Sequence, residues 1–179
     1  MSWQEKLRIN FEREDYEQCI TLLNEELTKP FCDDEDLSLN LMYVYMFMFM
    51  LKKGSNTERQ MIFLEKKILE IYKLIKAKYV NSAKAMFYTA YNSSIAEWIL
   101  GLDLEDINEM YHKAWLLEPG NKLYRYGYYL YFLHNLQEAN SIYVDIRNDE
   151  YCWREIKMMS VIGDEFIQSM QFFYNSKHE

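Results

Sequence analysis

The apolar positions of this chain recur at three- and four-residue intervals over most of its length, the period of helices buried along one face. Tyr16, Cys19, Ile20, Leu23 and Leu27 form one such stripe, which Pro30 ends. Met61, Leu64, Ile68, Ile71, Tyr72 and Ile75 form a second, with Lys66, Lys67, Lys73 and Lys76 lying elsewhere. Ser2 and Glu5 have the spacing of a capping box, so a first short helix is expected to about Phe11. Ser82 is placed to cap a helix running to Leu100, stopped by Gly101, and Asp103 to cap another that Pro119 and Gly120 close. Two more helices are expected near residues 121–134 and 136–147. A C-terminal helix over 149–174 carries Cys152, Ile156, Met159, Phe166, Met170 and Phe173 on the same spacing. Gly163 shares that spacing, so it either lets another helix approach closely or kinks its own. Short connections make neighbouring helices antiparallel.

Residues 41–51, LMYVYMFMFML, depart from this pattern, because they hold no polar face at all. A strand of that length is about twice the usual one. A membrane span needs roughly twenty apolar residues, and the run is too short. Asp33 and Asp34 stand where a helix N-terminus favours carboxylates, and Lys52 and Lys53 where the opposite end favours cations. Gly54 suits the position just beyond the end. A helix is therefore expected, and a helix that is apolar all round must be covered on most of its surface. Met42, Met46, Met48 and Met50 leave the cover open. Methionine is both adaptable core filler and a residue of permissive binding surfaces.

Composition narrows the class. The 179 residues are half hydrophobic, with only five Gly and two Pro, which fits one globular domain of long helices and disfavours a turn-rich β fold. Cys19, Cys32 and Cys152 have no CxxC spacing and read as reduced thiols of a cytoplasmic protein. The charged N-terminus lacks the apolar stretch of a signal peptide. A net charge of −8 disfavours direct nucleic-acid binding and makes a basic partner the natural one.

An internal period sharpens the fold. In KLYRYGYYLYFLHNLQEANSIYVDI, Leu123, Tyr126, Gly127 and Leu130 fit W-x2-L-G-x2-Y, and Ala139, Tyr143 and Ile146 follow at matching small and large positions. Gly127 and Ala139 are small where two helices must come close. These residues resemble a tetratricopeptide repeat. Ile95, Ala96 and Ile99, then Tyr111, Ala114 and Pro119, resemble a preceding unit, with a spacing between halves that differs by one residue. Trp3, Tyr16, Cys19 and Leu23 fit loosely, although Lys6 replaces an expected apolar residue, and residues 34–79 lack the signature. The resemblance, strongest over 91–146, implies an all-α fold: antiparallel helix pairs stacked as a solenoid, with a C-terminal capping helix. An irregular helical bundle is the alternative.

Catalytic signatures are missing: no Gly-rich phosphate loop, GxSxG, HExxH or paired CxxC occurs. Glu109-x-x-His112 has helical ligand spacing, but a di-iron bundle needs a second such pair and two further Glu. No enzyme, cofactor or metal is expected. What remains are surfaces. Residues 12–36 hold ten acidic and two basic side chains, residues 52–84 nine basic and three acidic, and residues 97–179 fourteen acidic and seven basic. Asp33, Asp34, Glu35 and Asp36, with Asp103, Glu105 and Asp106, are the densest acidic groups, and Asp145, Asp149 and Glu150 could extend them. They are either ordinary solvated helix faces or patches that steer a cationic partner. Tyr124, Tyr128 and Tyr131 share a helical face that is either a concave binding groove or packing for the C-terminal helix.

In size, acidity and single-domain make-up the chain is similar to small immunity proteins of bacterial toxin–immunity pairs, including those of contact-dependent growth inhibition. That likeness implies a cytoplasmic monomer in a one-to-one complex, its acidic surface covering the basic active site of a toxin such as a nuclease. The alternative is a chaperone or adaptor that holds a peptide in the Tyr-rich groove.

Overall fold

The computed structural model describes residues 1–30, 35–51 and 57–176. Among these there are eleven α-helices and no strand. They are α1 (Trp3–Glu12), α2 (Tyr16–Leu27), α3 (Glu35–Leu51), α4 (Glu58–Lys78), α5 (Ala83–Ser93), α6 (Glu97–Leu100) and α7 (Leu104–Leu117). Then follow α8 (Lys122–Gly127), a π-helical turn (Tyr128–Phe132), α9 (Leu136–Arg147), α10 (Glu150–Met158) and α11 (Val161–Asn175). Expectations resting on Cys32, Asp33, Asp34, Lys52, Lys53 and Gly54 lie outside the described residues.

Local signals set most of the helix starts. The Ser2–Glu5 capping box closes in both directions, the Ser82 hydroxyl accepts from the Ala85 amide at 3.1 Å, and Asp103 and Asp106 cap reciprocally. The apolar run becomes α3, and four helices cover it: α2, α4, α5 and α11. Met42 and Met46 are fully buried, and Met48 nearly so, so most of the cover is this chain itself. Each such side chain contributes about 1.5–3 kcal/mol of burial.

Three expectations are corrected. The helix begun at Ser82 stops at Ser93, because a run of polar residues turns back on its own backbone. Ser93 donates to the Thr89 carbonyl at 2.6 Å, and Ser94 to that of Tyr91 at 2.7 Å. Ile95 and Ala96 therefore lie outside any helix and Ile99 in the one-turn α6, while the helix packed against α7 is α5. The C-terminal segment is two helices, broken at Ser160, whose φ of 58° is a left-handed value unusual for a residue with a side chain. Gly163 does not kink its helix. It sits against the carbonyl of Ile156, which a Cβ would overlap, so α10 and α11 cross in close contact. Finally, α11 does more than cap the last helices, since it touches α1, α3, α9 and α10.

That position organises the core. Phe166 of α11 makes ring contacts with Phe87, Tyr88 and Tyr91 of α5 at 5.1, 6.4 and 4.9 Å, and with Tyr126 of α8 at 6.1 Å. Arg8 of α1 pairs with Asp164 of α11 at 2.5 Å and also donates to the Lys157 carbonyl. Asn40, fully buried on α3, serves the α10–α11 joint. It donates to the Met159 carbonyl at 2.9 Å and accepts from the Ile162 amide at 3.4 Å. Ser160 is held by its hydroxyl, which donates to the Gln4 carbonyl at 2.9 Å.

Candidate functional site

The starts of α3, α5, α8 and α10 meet around one cleft of about 520 Å³. A helix start presents free N–H groups and the positive end of its dipole. At α5, α8 and α10 the chain answers these ends itself. Ser82 caps α5, the Asn121 carboxamide oxygen accepts from Leu123 at 3.0 Å, and an Asp149 oxygen accepts from Tyr151 and Cys152, both at 3.1 Å. The deep wall is apolar, built from Tyr88, Leu123, Tyr124, Ile156 and Met159, all buried. Tyr151 and Met158 stand exposed at the rim.

Charge in the cleft is unbalanced. Glu35, Asp36, Glu118, Asp149 and Glu155 line it against Lys84 and Lys122 alone. Lys84 pairs with Asp36 at 2.9 Å and Lys122 with Asp149 at 2.5 Å, which leaves three carboxylates in excess. The Lys122 ammonium, followed by the Cys152 amide, holds the Asp149 carboxyl below its usual range. Glu35 behaves oppositely. Burial pushes its pKa up, although the Ser82 hydroxyl, Lys84 and the Ala85 amide act the other way. One of its oxygens, Oε1, is sealed from solvent with no hydrogen-bond partner, and so is the Tyr88 hydroxyl. The Cys152 thiol, pushed up to about 11 by burial and then by Asp149, stays protonated at neutral pH and is no nucleophile.

Of the residues nominated from sequence, Glu35, Asp36, Tyr124 and Asp149 converge on this cleft from three separate helix starts. Glu150 is exposed in the first turn of α10, next to Asp149. Asp103, Glu105 and Asp106 lie at the start of α7, away from the cleft. There Asp103 and Asp106 serve the cap, and Asp106 also faces a second groove of about 320 Å³ with Lys76, Glu109 and Lys113. Asp145 is exposed on α9. Asp33 and Asp34 lie outside the described residues.

The three tyrosines occupy three environments. Tyr124 is 5% exposed and lies 5.3 Å from Phe87, Tyr128 stacks on Trp115 at 4.3 Å, and Tyr131 stacks on Tyr111 at 4.4 Å. The π-helical turn after Gly127 adds a residue per turn and so shifts Tyr128 and Tyr131 out of the α-helical register. Burial pushes the Tyr131 hydroxyl up to about 12, with Ser169 of α11 acting the other way. Sequence reasoning passed over Tyr88, Lys84, Glu118, Lys122 and Glu155. The available signal was positional: Lys84 and Lys122 stand within two residues of the helix caps Ser82 and Asn121, as Glu35 and Asp149 mark helix starts.

Among the described residues, no three His, Cys, Asp or Glu side chains are grouped to hold a metal ion, and no helix is long and apolar enough to cross a membrane. No protein-family model, curated protein or solved structure matches the chain.

Proposed function

We propose that this protein is a non-enzymatic binding module that occupies a basic surface of another protein. In this reading it is an immunity protein, covering the active site of a cognate bacterial toxin such as a nuclease. The observation that carries it is the cleft, where three carboxylates exceed the lysines beside an apolar wall. An excess of one sign in a recessed, partly apolar site focuses the field and speeds docking of the opposite charge. Stacked tetratricopeptide-like pairs are supported by the packing of α1 on α2, α3 on α4, α5 on α7 and α8 on α9. The close approach at Gly127, where a Cβ would come within 2.6 Å of Phe87 and 2.8 Å of Tyr111, supports them as well. A peptide-holding chaperone would need a free tyrosine groove, whereas Tyr124 and Tyr131 are engaged within the chain.

The test is calorimetry of the purified chain with a basic toxin domain encoded beside its gene, at low and high salt. A cytoplasmic one-to-one complex is expected, weakened at least tenfold as salt rises roughly fivefold. Absence of binding, or affinity indifferent to salt, overturns the proposal.

A further inference from the structure

We infer that the cleft receives a single guanidinium group, an arginine side chain of the partner, with the Glu35 carboxylate and the Tyr88 hydroxyl as its buried acceptors. This rests on the reading of the cleft as the contact for a cationic partner, and it names the group that enters.

An acidic cluster alone would be weak ground, because carboxylates also gather at helix starts for capping. The unpartnered atoms are a separate observation. Tyr88 is 2% exposed, and its hydroxyl finds no hydrogen bond although Tyr88 lines the cleft. Three of the groups that its hydroxyl senses electrostatically, Tyr124, Asp36 and Cys152, are themselves cleft walls. Glu35 Oε1 is sealed and unpaired in the same wall. Buried polar atoms are nearly always satisfied in native proteins, and of the seven buried side-chain atoms left without a partner among the described residues, Glu35 Oε1 and the Tyr88 hydroxyl belong to residues that line this one cleft.

The chemistry of a donor to both follows from its surroundings. An anion is disfavoured, since the starts of α5, α8 and α10 are already capped by Ser82, Asn121 and Asp149 and the lining carries more carboxylates than lysines. A cation is favoured, and Glu35, whose ionised form is disfavoured by burial, gains most from one. A guanidinium suits the cleft better than an ammonium. Its planar fork carries five donors, enough for Glu35 and Tyr88 together, and it is more weakly hydrated. Its flat face can also rest on the rings of Tyr124 or the exposed Tyr151. Asp36 and Asp149 already hold lysines, so they frame the entrance without serving as its final acceptors.

The experiment is a nuclear magnetic resonance titration of the full chain with acetyl-Gly-Arg-Gly-amide, set against its lysine and citrulline counterparts. The arginine peptide is expected to saturate at about millimolar concentration, shifting the amides of Glu35, Lys84, Tyr88 and Asp149. The citrulline peptide, equal in shape but uncharged, should not bind, and the lysine peptide should bind several-fold more weakly. Glu35→Gln is expected to weaken the arginine peptide roughly ten- to hundredfold, and Tyr88→Phe about threefold to tenfold. Tyr88→Phe removes only an unpaired oxygen, so it tests the site without threatening the fold. Glu65→Gln, exposed on α4, which contributes no residue to the cleft, should change nothing. No saturable shift at these amides up to about 20 mM peptide, equal binding of all three peptides, or wild-type affinity in both cleft variants overturns the inference. If a basic partner still binds Glu35→Gln at wild-type affinity, the arginine site fails while the protein-binding function stands. Loss of partner binding by the wild-type chain is the separate failure of that function.

Discussion

Replacing Gly163 with alanine adds one methyl group where α10 and α11 cross. The new Cβ would overlap the carbonyl oxygen of Ile156 and stand 3.0 Å from both the Ile156 carbonyl carbon and Met159 Cβ. The obstacle is backbone, so no rotamer change relieves it. The two helices must part by about 1 Å, and a gap of that size forfeits a quarter to a half of each van der Waals contact it opens. Ile156, Met159 and Ile162 are all buried at this joint. The same movement stretches the bonds from Asn40 to the Met159 carbonyl and from the Ile162 amide to Asn40, each worth about 1 kcal/mol. Against this, alanine is the better helix former by about 1 kcal/mol. The balance is a loss of about 2–4 kcal/mol, which in a chain of this size lowers Tm by about 5–12 °C. Thermal and urea melts followed by circular dichroism measure it. Gly120→Ala is the control, because nothing lies within 4 Å of its added Cβ, and it should stay within about 0.5 kcal/mol of wild type. If Gly163→Ala melts at or above wild type, helix propensity outweighs the crossing, and the close packing of α10 on α11 is wrong.

Asn40→Ala should cost about 2–4 kcal/mol, seen as a urea midpoint lower by about 1–2 M, because two buried backbone groups lose their partner; a shift under about 0.3 M would contradict this. Glu35→Gln should raise Tm by roughly 1–3 °C at pH 7.5. Burial raises the folded pKa of Glu35, so its ionised form burdens the native state, and wild-type stability falls as pH rises from the ordinary glutamate range through the raised pKa. The gap between the two proteins should therefore close on acidification to about pH 4, and a gap that widens there would contradict the sign. The Cys19 thiol is fully buried and pushed up to about 12 by burial and then by Asp15, so native protein at pH 7 should resist iodoacetamide at Cys19. Peptide mass mapping checks this, and alkylation within minutes without denaturant would contradict it.

Features that a few neighbouring residues determine were legible in the sequence. The Ser2–Glu5 box, the Ser82 and Asp103 caps and the uniformly apolar α3 each depend on spacing within about two helical turns. Breaks forced by distant contacts were not. Ser160 takes its left-handed φ because Gly163 must reach the Ile156 carbonyl and because Gln4, far away in sequence, receives the Ser160 hydroxyl. The π-helical turn that separates Tyr124, Tyr128 and Tyr131 is likewise invisible to a period of 3.6. The cleft was half legible. Glu35, Asp36 and Asp149 stand out as carboxylates at helix starts, and nothing in FYTAY distinguishes Tyr88, which lines the cleft, from its neighbours.

The place of α11 between the first helices and the last also has a consequence during synthesis. At about 5–20 residues per second, the ribosome adds Phe166 about 6–23 s after the end of α3. Until then Phe87, Tyr88, Tyr91 and Tyr126 have no Phe166 to pack against, Arg8 has no Asp164, and one side of α3 lies bare. The nascent chain thus carries an unfinished aromatic seam from the synthesis of Phe87 to that of Phe166. Release of a truncated product lacking α11 would leave a sticky, half-closed molecule for proteases to remove.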